Sequence, residues 1–260
     1  MNTNYNIAIR NVLTLLICSL CFVACELEDE TTDGTGDGVN LTRDLVLYYT
    51  FDEGASSSAT QLVQDHSGKN HNGVISGTPE FVADTPDNSG YALRLRQGDF
   101  VNIPTYVCAD SANVSVNMWI KDFGQGMLFA SMNGTSISTP SIYINSADYV
   151  YYQYGTQYGY NWSTTNFSTS MVAFQSDGWH MFTVTSANST ETIKLYIDGT
   201  LVDTQSGKQA KCDGTKMQIG GNADGRYNVL ADPMIVDNCR IYKRCLNEKE
   251  VKELYKMESK

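Results

Sequence analysis

The sequence predicts an all-β fold, a sandwich of two antiparallel sheets closed by a short C-terminal helix. Three observations carry that expectation. From Leu45 to about Tyr242 the chain is a series of short runs rich in β-branched and aromatic residues, most of them alternating apolar with polar. Clusters of Gly, Asn, Asp and Ser separate the runs, where turns need residues that tolerate tight or left-handed backbone. The pattern extends over roughly 200 residues without an internal repeat or a second linker, a length that suits one large jelly roll.

The segment before the strands is of a different kind. Residues 1–24 carry a single charge, Arg10, and Val12 to Ala24 is apolar apart from Thr14 and Ser19. A basic start, a short apolar core and a small residue at its end describe an export signal, too short for the ~20 apolar residues that span a bilayer. Residues 25–43 follow as a tether, acidic and rich in Thr and Gly, with almost nothing to bury. Within it "DGTGDGVNLTRD" places Asp33, Asp37, Gly38 and Asp44 near the positions of a calcium loop. Thr at the third position, Asp rather than Glu at the last and the absence of flanking helical patterns argue against that reading. Residues 44–260 form the folded domain.

The first strand is expected at "LVLYYTF", and "GVISG", "YALRLR", "FVNIP", "VSVNMWIK" and "MLFASM" follow it. "SIYIN", "YVYYQY" and the long stretch from Asp177 to Thr204 continue the series. That stretch reads as two strands joined at "SANSTET", with a tight Asp-Gly turn after them, because glycine accepts a positive φ. "KMQIGG" and "MIVDNCRIY" close the set. The helix begins at Asn247: Glu250 stands three residues on, a capping box, and Val251, Leu254 and Tyr255 share one face. Glu248 and Lys252 make a favourable i,i+4 pair.

Charge and cysteines narrow the function classes. The full chain has 29 acidic and 18 basic residues, a formal net charge of −11. A net negative chain without a basic cluster argues against nucleic acid and anionic headgroups as partners. Of seven cysteines, Cys18 and Cys21 lie in the export signal and Cys25 directly follows it. Cys108, Cys212, Cys239 and Cys245 remain, an even number that suits two disulfides in an exported protein, with three connectivities open. The mature chain lacks a C-x₂-C pair and has no histidine close to these cysteines, which argues against zinc.

Several stretches match known families. "FVAC" followed by "ELEDE" resembles the lipobox of bacterial lipoproteins, although Phe22 departs from the usual aliphatic residue. The resemblance implies that Cys25 is lipidated, and that the acidic run sends the chain to the outer membrane, facing the cell exterior. A chain anchored by acyl groups gains about 0.8 kcal/mol per buried methylene. "LVLYYTFDEG", "DHSGKNHNG", "GYALRLRQGDFVNIP", "VSVNMWIKDF", "GWHMFTVTSANSTETIKLYIDGTLVDT" and "VDNCRIYKRCLNEKEVKELY" resemble, in that order, the blocks of laminin G-like domains of the concanavalin A-like lectin and glucanase class. The resemblance implies a concanavalin A-like jelly roll. It further implies one structural calcium ion, with Asp52, Asp65 and Asp237 at the matching acidic positions. Cys239 and Cys245 stand where that family more often has Val and Ala, which implies a disulfide particular to this chain, tying the last strand to Cys108 or Cys212.

Catalytic readings fare poorly. Glucanases of this class resemble E-x-D-x-E on one strand, and a retaining mechanism needs carboxyls about 5–5.5 Å apart. Between Leu45 and Cys245 the glutamates are Glu53, Glu80 and Glu191, and none has an acid two residues away. There is no G-x-S-x-G elbow. His66 and His71 share a polar turn, and His180, although it follows Trp179, reads as part of a strand. The expectation is therefore a protein that is not an enzyme.

The strongest candidate site is aromatic. Tyr149 to Trp162 holds six of the 16 tyrosines, and Tyr152, Tyr154, Tyr160 and Trp162 are the candidate ligand-binding residues. Tyr and Trp combine an apolar face with a polar handle, which suits stacking on a sugar ring. Cross-strand packing inside the sandwich is the competing reading. The loop "GGNADGRYN" adds Asn222, Asp224 and Arg226 as hydrogen-bonding candidates, or as a solvated loop. The functional expectation is a carbohydrate-binding module on a surface lipoprotein, with a protein-interaction or adhesion module second and a polysaccharide hydrolase third. The partner expected is a glycan or an envelope protein.

Overall fold

The computed structural model describes residues 39–54, 61–133, 136–154, 164–175, 178–207, 212, 214–221 and 233–259. Their strands build two eight-stranded antiparallel sheets. The first sheet runs in the order β14 (Thr200–Ser206), β13 (Thr192–Ile197), β12 (His180–Ala187), β7 (Asn113–Lys121), β16 (Met234–Tyr242), β5 (Ala92–Leu95) and β4 (Glu80–Val82), and β1 (Leu45–Tyr49) also pairs with β16. The second runs β11 (Thr164–Ser170), β10 (Tyr149–Gln153), β9 (Ser136–Ile144), β8 (Gly126–Asn133), β15 (Lys216–Ile219), β6 (Phe100–Ile103), β3 (Gly73–Ser76) and β2 (Leu62–Val63). The non-consecutive neighbours make this the expected jelly-roll sandwich.

Alternation explains the core. Val116, Met118 and Ile120 of β7 and Phe182 and Val184 of β12 point between the sheets, where Val150 and Tyr152 of β10 meet them in one cluster. Each such apolar side chain contributes about 1.5–3 kcal/mol on full burial. The opposite phase of the first sheet is buried too. Trp119, Met181, Tyr196 and Tyr242 form a second cluster with Val251 and Leu254 of the helix α1 (Glu248–Glu258). This is why β12 is buried at every position along its length.

The helix starts as the capping box predicts. Asn247 Oδ1 accepts from Glu250 N at 2.9 Å, and Glu250 Oε2 accepts from Asn247 N at 2.9 Å. The same Glu250 carboxylate takes both terminal nitrogens of Arg244 at 2.7 Å each, a bidentate pair. At the far end of the helix Glu258 is 6% exposed and forms an ion pair with Arg240, which is 3% exposed. Trp119 Nε1 donates to Glu258 Oε2 at 2.7 Å, and the Arg240 guanidinium lies 3.7 Å over the Tyr48 ring. The C-terminal end of α1 is thus tied by charge to Arg240 of β16, its start to Arg244 just after that strand, and its middle to the first sheet by apolar contact.

The Asp198–Gly199 turn between β13 and β14 has φ of 51° and 75°, the positive pair of a type I′ hairpin. Gly199 is needed twice over, since a Cβ there would sit 3.1 Å from Tyr255 Cβ of the helix. Asp198 turns back to the start of β12: its Oδ1 accepts from Met181 N at 2.9 Å, and its Oδ2 lies 2.7 Å from His180 Nδ1. The His180 ring also stands edge-on to Phe174, with centroids 5.0 Å apart. His180 therefore serves the hairpin, as the sequence reading expects.

Removing one partner of a buried pair leaves the other charge uncompensated. Glu258→Ala should destabilise the protein by about 3–5 kcal/mol in chemical denaturation. Lys252→Ala, which breaks only the exposed 2.6 Å pair with Glu248, should change stability by less than about 0.5 kcal/mol.

Candidate functional site

Strand β10 decides which tyrosines reach a surface. Val150 and Tyr152 pair with Ile144 and Ile142 of β9, and all four are buried between the sheets. Tyr152 is 0% exposed. Its hydroxyl crosses to the other sheet and hydrogen-bonds with Ser186 of β12, and burial pushes the phenol well above its ordinary pKa. This corrects the expectation that Tyr152 faces a ligand. Its phase is set by Val150, a β-branched residue that belongs in the core. Tyr154 is partly buried and packs on the same core, with the Gly207 backbone so close that a Cβ there would lie 2.8 Å from the Tyr154 ring. Tyr160, Trp162, Asn222, Asp224 and Arg226 lie outside the described residues.

The opposite phase of β10 builds a different surface. Tyr151 pairs with Tyr143 of β9, and their rings stack with centroids 5.1 Å apart at 25°. Both are half-buried, so each ring keeps an accessible part. Burial, with Tyr151 beside it, raises the pKa of Tyr143. The exposed Asn166 of β11 pairs with Tyr151 on its other side. Further across this outer face, a single row runs Val74, Asn102, Gln218, Ala130 through β3, β6, β15 and β8. Gln218 Nε2 donates to Asn102 Oδ1 at 2.8 Å, and Asn102 Nδ2 donates to Ser76 Oγ at 3.2 Å. Gln218 is itself fully buried, as is the small apolar cluster of Met127, Ala130, Met132 and Ile137 between it and the tyrosines, against which Tyr143 packs.

Half-buried aromatic rings with an exposed asparagine beside them suit a flat, neutral ligand with C–H faces and hydroxyl edges. Reading the sequence by tyrosine density misses Tyr143, Tyr151 and Asn166. The signal was the phase of "YINSADYVYYQ": Ile142, Ile144 and Val150 mark the buried set, which leaves Tyr143 and Tyr151 outside.

The three aspartates expected to hold calcium do not form one site. Among the described residues no group of three or more His, Cys, Asp or Glu gathers to hold a metal ion. Asp65 is occupied: its Oδ1 accepts from Tyr48 N at 3.0 Å and Ser67 N at 2.9 Å, and its Oδ2 from Ser67 Oγ at 2.8 Å and His71 N at 2.9 Å. Burial would raise its pKa, but these four hydrogen bonds outweigh burial and lower it. It is a turn staple. Asp52 accepts from Tyr91 N at 3.2 Å. Asp237 goes the other way: burial, then the charges of Asp52, Glu258 and Asp87, push it up to about 9 against a single backbone hydrogen bond from Asn238.

The other carboxylates are also engaged. Glu53 Oε1 lies 3.2 Å from His66 Nε2, and Glu80 Oε2 accepts from Arg94 at 3.1 Å and Arg96 at 2.9 Å. The four cysteines of the domain stand as free thiols, three of them buried, and Cys239 lies in the core beside Tyr49. The expected link from the last strand through Cys239 is not formed.

The family model of laminin G type, described as the concanavalin A-like lectin/glucanases superfamily, matches residues 95–252. The chain belongs to this superfamily. The concanavalin A-like fold is shared with solved structures of low identity. One is the binding domain of Paraclostridial Mosquitocidal Protein 1, with a TM-score of 0.62 and 20% identity over 83% of this chain. Another is the binding domain of botulinum neurotoxin DC in complex with rat synaptotagmin II, at 0.63 and 17% over 84%. A third, from work tying cell entry of botulinum neurotoxin type C to two ganglioside molecules, stands at 0.63 and 18% over 84%. The concanavalin A-like chain spans about half the length of these structures, 52% of each. No curated protein matches the sequence.

Two outcomes follow from the buried groups. Tyr152→Phe should cost about 1 kcal/mol of stability through the lost Ser186 hydrogen bond, measured by denaturant unfolding. Asp237 holds its proton in the folded state up to about pH 9. The unfolded chain releases it near pH 4, so stability falls as pH rises between those values. Asp237→Asn should flatten the fall in Tm between pH 5 and pH 8, and should be more stable than the parent at pH 8.

Proposed function

We propose that the protein is a surface lipoprotein whose jelly-roll domain binds carbohydrate without catalysis. Lipidated at Cys25, it sits on the outer membrane and faces the cell exterior, with residues 26–43 as the tether. The observation that carries the binding reading is the stacked Tyr143–Tyr151 pair on the outer face of the second sheet, both rings half-buried, with the exposed Asn166 paired to Tyr151. The tyrosine rings pack against the C–H face of a sugar, and their hydroxyls and Asn166 offer hydrogen bonds to its hydroxyls. The superfamily assignment supports this, as do the ganglioside dependence stated for neurotoxin type C and the complex of the neurotoxin DC binding domain with SialylT. The absence of catalysis rests on the carboxylates, since Glu53 and Glu80 are each committed to basic partners. A protein partner is the second reading, favoured by the synaptotagmin complex of a neighbour with the same fold.

A glycan array followed by titration checks the proposal. Tyr151→Ala and Tyr143→Ala should each weaken binding about 10-fold, the loss of one stacking contact. Met257→Ala, at an exposed position on the helix of the opposite sheet, should leave it unchanged. If the parent retains no glycan and instead captures one stoichiometric envelope protein, the carbohydrate reading fails and the protein reading replaces it. Lipid labelling of the exported chain should disappear in Cys25→Ala.

A further inference from the structure

Two of the four domain cysteines lie against each other. The thiols of Cys108 and Cys212 are hydrogen-bonded to one another. Their backbones are neighbours as well: Cys212 N donates to Ser111 O at 3.1 Å, and Asp110 N donates to Cys212 O at 3.1 Å. These reciprocal bonds set Cys212 across the tight turn that follows Cys108, where Ser111 N donates back to Cys108 O at 2.9 Å. Cys108 is 0% exposed and Cys212 3%. Cys239 has Tyr49 and Arg240 as its charged or titratable neighbours. The Cys108 and Cys212 thiols therefore lie beside Tyr106 within reach of one another.

We propose that Cys108 and Cys212 form the native disulfide of this domain, and that Cys239 stays reduced. The bond closes a loop of about 100 residues, the range in which a cross-link restricts the unfolded chain most. Cys212 itself stands two residues before Gly214, where a Cβ would lie 2.2 Å from the Tyr106 ring, so the chain there is closely packed.

The chemistry is thiol–disulfide exchange with a small-molecule disulfide such as oxidised glutathione. The thiolate of one cysteine attacks a glutathione sulfur, and one glutathione leaves as thiolate. The second cysteine's thiolate attacks the protein sulfur of that mixed disulfide, and the second glutathione leaves. Two protein thiols lose two protons and two electrons, and one oxidised glutathione becomes two reduced ones. In the folded protein the thiol of Cys108 is fully buried and held well above its ordinary pKa by the Cys212 contact and by burial. The bond therefore closes during folding, before the sandwich shuts, and resists reductant afterwards.

The full chain, unfolded under reducing conditions and refolded in a glutathione redox buffer, tests this. After alkylation, non-reducing peptide mapping should find Cys108 joined to Cys212, with Cys239 carrying the label. Tm should be about 10 °C higher than for the chain refolded in dithiothreitol. The Cys108→Ser, Cys212→Ser double variant should show no difference between the two buffers. A link from Cys108 to Cys239 or Cys245, or label on all four, overturns the inference. The oxidant is supplied in the buffer, so the result does not depend on export: a linked chain without glycan binding sinks only the carbohydrate reading.

Discussion

Burial of Val150 and Tyr152 between the two sheets is the constraint on which the functional surface depends. A strand turns over every residue, so fixing these two inward fixes Tyr151 on the opposite face. The pairing of β10 with β9 then places Tyr143 against Tyr151 and Ser141 against Gln153. A slip of one residue would bring Tyr151 into the core and break the stack. The outer face thus inherits its chemistry from the apolar residues that hold the other side of the same strands.

Many of the polar groups in the interior meet a partner on another strand or loop. Tyr152 reaches Ser186 on the opposite sheet, Tyr49 donates to His71 O at 2.6 Å, and Tyr242 donates to Leu41 O at 3.0 Å. The phenols bring bulk to the core and fasten loops or sheets at their far ends. Arg240 and Glu258 do the same with charge beneath the helix. Asp237, close to that pair, is the exception, a buried carboxyl among like charges that is more stable with its proton on.

Much of the fold was legible in the sequence. The asparagine cap with its glutamate, the Asp-Gly hairpin and the alternating strands all rest on interactions within a few residues, where local rules apply. The site was less legible. Six tyrosines in one stretch draw attention to aromatic density, but density does not separate a core tyrosine from a surface one. Val150 carried the phase, and it is less conspicuous than its neighbours. Asp65 likewise resembled a metal ligand by family position, whereas three of its donors come from its own turn and the fourth, Tyr48 N, from strand β1, which only folding brings beside it.

By itself the sequence determined the class of fold, the order of its elements and the ends of its helix, because periodicity, capping and turn chemistry act over short distances. Tertiary structure alone decided which cysteines meet, which tyrosines face outward and which carboxylates are already occupied. Cys108 and Cys212 are a hundred residues apart along the chain and touch only because strands from distant parts of it become neighbours in the sandwich. Asn102 and Gln218 form their ladder for the same reason. A jelly roll builds its surfaces from non-consecutive strands, so the chemistry of a face is set by pairings that no local stretch of sequence contains.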